Sequence, residues 1–114
     1  MNGLPTTFWG KLERSSATKV VSTWHPLVDH CVDVAACAEA LLDLQTWRGR
    51  LARCCGRTDL DHVTRARLTV LAALHDLGKF NLGFQAKGRP ELGATAGHVT
   101  PAVAAIAAAA LPSV

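Results

Sequence analysis

The sequence predicts an all-α domain, and three observations carry that prediction. Apolar residues recur at spacings of three and four in two long segments, one from Pro26 to Leu42 and one ending near Leu77. Proline, aspartate or threonine stands where those patterns begin and glycine where they stop. No alternating apolar segment of comparable length suggests a strand. A chain of 114 residues with 49% hydrophobic residues is long enough to bury a core and fits one compact domain better than two.

Each element follows from local chemistry. Residues 1–25 read as an irregular arm, because Gly3, Pro5, Gly10 and the Ser15-Ser16 pair interrupt any pattern; Phe8 and Trp9 would anchor it. Residues 26–114 read as the helical core. Pro26 suits a first helical turn, and Leu27, Cys31, Val34, Ala35, Ala38, Leu41 and Leu42 then form one continuous stripe. Thr46 to Cys55 reads as a short helix ended by Gly56. Asp59 or Asp61 offers an N-cap for a longer helix to about Leu77, with Val63, Ala66, Val70, Leu71, Leu74 and Leu77 as its buried face and Gly78 as its stop. The four glycines and one proline between Asn81 and Gly97 make that segment loop-rich. Thr100 and Pro101 read as N-cap and first turn of a last, alanine-rich helix.

Charge and cysteine usage narrow the class. The net charge is +3, but the basic residues cluster: Arg48, Arg50, Arg53 and Arg57 fall within ten residues that hold no acid, and Arg65 and Arg67 follow. Such a run is either a solvated helix face or an edge that contacts phosphates. Cys31 and Cys37 would point in different directions on a helix, Cys54 and Cys55 are neighbours, and no pair has zinc-site spacing. They read as small buried apolar residues of a protein from a reducing compartment, the cytoplasm. The most hydrophobic stretch, Ala102 to Leu111, is half the roughly 20 residues that cross a bilayer, so no membrane partner is expected.

The stretch LAALHDLGKF, residues 71–80, carries the chemistry. A carboxylate near a helix C-terminus meets the negative end of the dipole, at a cost of a few tenths to ~1 kcal/mol, so Asp76 calls for a cation. Lys79 could answer as a salt bridge. A divalent metal answers better, since the imidazole of His75 and the carboxylate of Asp76 are both ligands and Asp76 has a second oxygen with which to bridge two ions. Lys79 would then face a phosphate. Two further histidines stand in suitable places: His30 on a core-facing helix, as a structural residue or a ligand, and His98 just before a helix start. His25 and His62 read as surface or capping residues, His25 with a weaker claim to a place behind the ligands.

The order His30, His75-Asp76 with Gly78 and Lys79, then His98 resembles the HD phosphohydrolase superfamily, an all-α fold that binds one or two divalent metals. FWGKL at 8–12, WHPLVDHCVDVAACAEALL at 24–42, LHDLGKFNLGFQAK at 74–87 and GHVTPAVAA at 97–105 are similar to the N-terminal HD nuclease domain of the helicase-nuclease of type I CRISPR systems. The resemblance implies an HD-like helical bundle, incomplete at its C-terminal side, and antiviral defence by cleavage of single-stranded DNA with a divalent transition metal: Mn, Fe, Co or Ni, or else Mg. It implies His30, His75, Asp76 and His98 as metal ligands, with Asp76 between the ions and Lys79 beside the scissile phosphate. The partners implied are single-stranded DNA, the crRNA-guided surveillance complex and a helicase domain attached downstream.

The family also has a later His-His pair and a final aspartate, whereas no histidine follows His98 and no acid follows Glu91 here. The expectation is a fragment or a truncated relative. Two other functions stay open. One is a non-catalytic homologue that binds the surveillance complex or competes with the full nuclease, and the other is a small HD hydrolase acting on nucleotides.

Overall fold

The computed structural model describes residues 5–110, and the side chains of 5–109. Residues 1–4 of the expected arm, Gly3 among them, and Leu111 lie outside the described residues. The chain is mostly helical, with a small two-stranded sheet. The described residues divide into two units, one of 5–30 with 75–110 and the other Cys31–Leu74.

The first unit opens with a small hairpin inside the mostly helical fold. Within the segment expected to be irregular, β1 (Trp9–Arg14) pairs antiparallel with β2 (Val21–Pro26). The register sets Leu12 opposite Trp24 and Glu13 opposite Thr23, and it slips between Trp9 and Lys11 and again between Glu13 and Arg14. Those slips explain why no alternation is visible in the sequence, since each bulge shifts the inward-facing position by one residue. Ser15 and Lys19 close the connecting turn: Ser15 N–H donates to Val20 at 2.9 Å, and Lys19 takes a positive φ of 59°.

Trp9 and Trp24 from the hairpin pack with Phe84 into this unit's core, and half-buried Leu12 leans on it. The Trp9 and Phe84 ring centroids are 4.6 Å apart. The N–H of Leu27 donates to the Phe8 carbonyl at 2.8 Å, which ties the start of α1 (Leu27–Asp43) to the hairpin. The chain re-enters the unit at His75. A 3-10 turn (Leu77–Phe80), the short α4 (Leu82–Gln85), a second 3-10 turn (Pro90–Leu92) and α5 (Val99–Ala110) follow. The segment read as loop therefore holds two short helical pieces. Helix α5 starts one residue before the expected cap Thr100.

In the second unit α1 continues, and α2 (Gln45–Cys54) and α3 (His62–Leu74) follow. Gly56 stops α2 as expected: with φ 68° it lets its own N–H reach the Arg53 carbonyl at 3.0 Å and the Arg57 N–H reach Ala52 at 2.8 Å. Asp61 rather than Asp59 caps α3, its Oδ1 accepting from the Thr64 N–H at 2.8 Å. Leu42, Ala52 and Leu60 form the core, with Leu68 against it.

Three expectations are corrected here. The buried face drawn on α3 is not buried, since Val63, Val70, Leu71 and Leu74 are exposed and Leu68 is the residue that faces the core. The helix ends at Leu74, short of Leu77. No disulfide joins the four cysteines, as expected, but none is a buried packing residue: Cys31 is half-buried and Cys37, Cys54 and Cys55 are exposed. On α1 the predicted stripe is the shielded side, with Leu27 and Leu42 buried and only Leu41 exposed.

Candidate metal centre

The His75-Asp76 pair lies in the turn just after α3, where the backbone leaves the helix and tightens into the 3-10 turn. The Lys79 N–H donates to the Asp76 carbonyl at 2.8 Å, so the turn presents the Asp76 and Lys79 side chains on one side. Asp76 stands at the N-cap of that turn, but its side chain caps nothing. It points inward, with only 3% of the residue exposed.

Three donors meet one oxygen of this carboxylate. His30 Nε2 and His75 Nε2 each lie 3.0 Å from Asp76 Oδ2, and Lys79 Nζ lies 2.5 Å from it. The other oxygen, Oδ1, faces His98 Nε2 at 3.7 Å, beyond a direct hydrogen bond. Burial is the largest single influence on Asp76 and raises its pKa. The Lys79 hydrogen bond and charge, the His75 charge and the His30 hydrogen bond together outweigh it and hold the carboxyl below the usual carboxylate range.

His30 is aimed by its neighbours. It sits in the first turn of α1, and Gly10 of β1 lies so close that an added Cβ would come within 2.8 Å of the His30 Cβ. Gly78 does the same for the His98 segment, where an added Cβ would fall 1.7 Å from the His98 carbonyl oxygen. Asn81 completes the placement: its amide donates to Gly97 O at 3.2 Å while its oxygen caps α4 through the Phe84 N–H at 2.8 Å. The His98 ring stands edge-on to Phe84, with centroids 5.1 Å apart.

Lys79 takes the salt-bridge alternative. Besides Asp76, its ammonium donates to the Gly10 carbonyl at 2.8 Å, so it faces inward rather than toward solvent. His25 lies behind the cluster, its ring centroid 6.3 Å from that of His30. His62 is an exposed residue at the start of α3 in the other unit.

Gln85, which no sequence pattern singles out, is central to this arrangement. Gln85 is 1% exposed, and its side-chain amide bonds backbone groups. Its Oε1 accepts from the Trp9 N–H at 2.9 Å, and its Nε2 donates to Trp9 O at 3.0 Å and Lys79 O at 2.7 Å. It ties β1, and with it Gly10, to the turn that carries Lys79. Gln85 lies in the stretch LHDLGKFNLGFQAK, but no local pattern marks a glutamine as buried.

The donor set fits a divalent transition metal. Two imidazole nitrogens and a carboxylate oxygen, from His30, His75 and Asp76, lie within 4.8 Å of one another, and this is the one such group among the described residues. Neutral imidazole with carboxylate suits first-row metals. His98 lies outside that group but on the free side of the same carboxylate.

A family model described as Cas3, HD domain, matches residues 9–108. No curated protein and no solved structure matches the chain significantly. The matched span contains His30, His75, Asp76, Lys79 and His98 together with the hairpin and turns that place them, and the chain belongs to the HD-domain family of Cas3.

Proposed function

We propose that this domain holds a divalent transition metal through His30, His75, Asp76 and His98 and serves the hydrolysis of phosphodiester bonds in single-stranded DNA, within a type I CRISPR antiviral system. The observation that carries the proposal is the convergence of His30 and His75 on one oxygen of a buried, ionised Asp76 in a member of this family. When bound, such an ion polarises a phosphate and lowers the pKa of water. The chain's own residues would do the rest. His30 and His75 present their Nε2 atoms, and Asp76 stays anionic because basic neighbours surround it. His98 waits on the opposite carboxylate oxygen, and Lys79 holds the carboxylate in place. For the Lys79 ammonium to reach a phosphate, its ion pair with Asp76 would have to open.

That ion pair also supports a second reading, a non-catalytic homologue that binds the surveillance complex, since the cation expected beside the phosphate is already engaged. Titration calorimetry with Mn or Co tests the first proposal. Uptake by the wild-type chain should weaken more than tenfold in Asp76→Ala, and equal uptake by the variant would remove the proposed centre. Capture of a surveillance complex without DNA cleavage would favour the second reading.

A further inference from the structure

The arginine run divides into two groups once partners are assigned. Arg48 pairs with Asp59 at 2.8 Å, Arg57 with Asp61 at 3.4 Å and Arg65 with Asp43 at 2.9 Å, so these three serve the second unit's own fold. Arg50 and Arg53 are exposed on α2, and among the described residues neither has a carboxylate partner. No acid occurs between Asp43 and Asp59, and those two aspartates are already paired. The exposed face of α2 is therefore positive without local compensation.

An exposed aromatic ring lies on the same face. Trp47 is 48% exposed, whereas the other two tryptophans, Trp9 and Trp24, are each 5% exposed. Arg50 follows Trp47 by three residues, and its guanidinium carbon lies 6.0 Å from the Trp47 ring centroid, within cation–π range. Arg53 follows after one more interval of three. We infer that α2 is a binding surface for single-stranded DNA, on which Trp47 stacks against a base while Arg50 and Arg53 contact phosphates. Every base has a stackable face and every nucleotide a phosphate, so an aromatic ring beside arginines that lack carboxylate partners fits a single strand without reading its sequence. A duplex offers phosphates but keeps its bases stacked inside. The inference deepens the function proposed above and rests on it for the choice of DNA, but it needs no metal.

The test is oligo(dT) binding to the whole chain in EDTA, followed by fluorescence anisotropy of a labelled strand and by intrinsic tryptophan emission. Trp47→Ala should weaken binding roughly 5- to 150-fold, the range for losing one stacked base. Trp47→Phe should keep most of the affinity but abolish quenching, because the remaining tryptophans are buried. The double variant Arg50→Gln/Arg53→Gln should lower the slope of log K against log salt by about 1.4, the loss of two phosphate contacts on a single strand. Far-UV circular dichroism confirms that each variant is folded. Absent binding, an unchanged slope, quenching that survives Trp47→Phe, or tighter binding of duplex or RNA would overturn the assignment. If metal uptake persists while these signatures fail, only this surface is lost. If the signatures appear without metal uptake, only the metal centre is lost.

Discussion

Asp76 is buried and ionised because its neighbours are basic, and that dependence makes its partners testable one by one. His30 is the informative choice, since it lies in the first turn of α1 near the hairpin and could be a packing residue alone. At a metal concentration 100-fold above Kd, ligand binding adds about 2.7 kcal/mol to stability. Thermal unfolding with and without Mn should show that gain in the wild-type chain and most of it lost in His30→Gln. An equal gain in both would make His30 structural. The need for cations around Asp76 is legible in the sequence, although α3 ends at Leu74 and Asp76 stands just beyond it rather than in its last turn. The fate of Lys79 is not, because a salt bridge and a free ammonium have the same sequence. Nor is Gln85, whose three backbone partners lie on Trp9 and Lys79 rather than in its own helix.

The elements that carry these residues depend on tethers between distant segments. Gln85→Ala would leave the Trp9 N–H and the Trp9 and Lys79 carbonyls short of partners in a dry site. Each unsatisfied buried group costs about 1–3 kcal/mol, so urea denaturation should show a loss of at least about 2 kcal/mol. A loss below ~0.5 kcal/mol would mean that water enters and replaces the amide. Helix α3 depends on Asp61 in a pH-sensitive way. The Thr64 N–H and hydroxyl and the Arg57 charge favour its carboxylate and lower its pKa. Its contribution is therefore complete above the ordinary aspartate range and is lost as pH falls through the lowered folded value. Far-UV circular dichroism should show an acid-induced loss of helix that shrinks in Asp61→Asn, because asparagine caps without titrating. The same helix shows the limit of pattern reading. Periodicity located α3 and its cap, but it could not say which side is covered: the apolar stripe through Val63, Val70 and Leu74 is real and solvent-facing, and Leu68 packs instead. The hairpin was hidden by the opposite problem, since its two register slips erased the alternation that announces a strand.

Across these 114 residues, the donors present set a ceiling on what the chain by itself can catalyse. Two-metal phosphodiester hydrolysis holds its ions about 3.5–4 Å apart with both attacking and leaving oxygens clamped. His30, His75 and Asp76 gather in one group, His98 stands 3.7 Å from the opposite carboxylate oxygen, and the sequence has no histidine after His98 and no acid after Glu91. Four side chains are too few to fix two ions that each take four to six ligands, so water would fill most of the remaining positions. A centre held partly by water is loosely placed, and a misplacement of about 1 Å costs on the order of 10²-fold in rate. Lys79 adds a second restraint, because its ammonium must leave Asp76 before a phosphate can use it. The 114-residue chain should therefore take up metal yet cleave single-stranded DNA near background with Mn, Co or Ni. Gel assays with the wild-type chain and Asp76→Ala measure this directly. Robust cleavage that vanishes in Asp76→Ala would show that four side chains suffice, or that a second chain completes the centre.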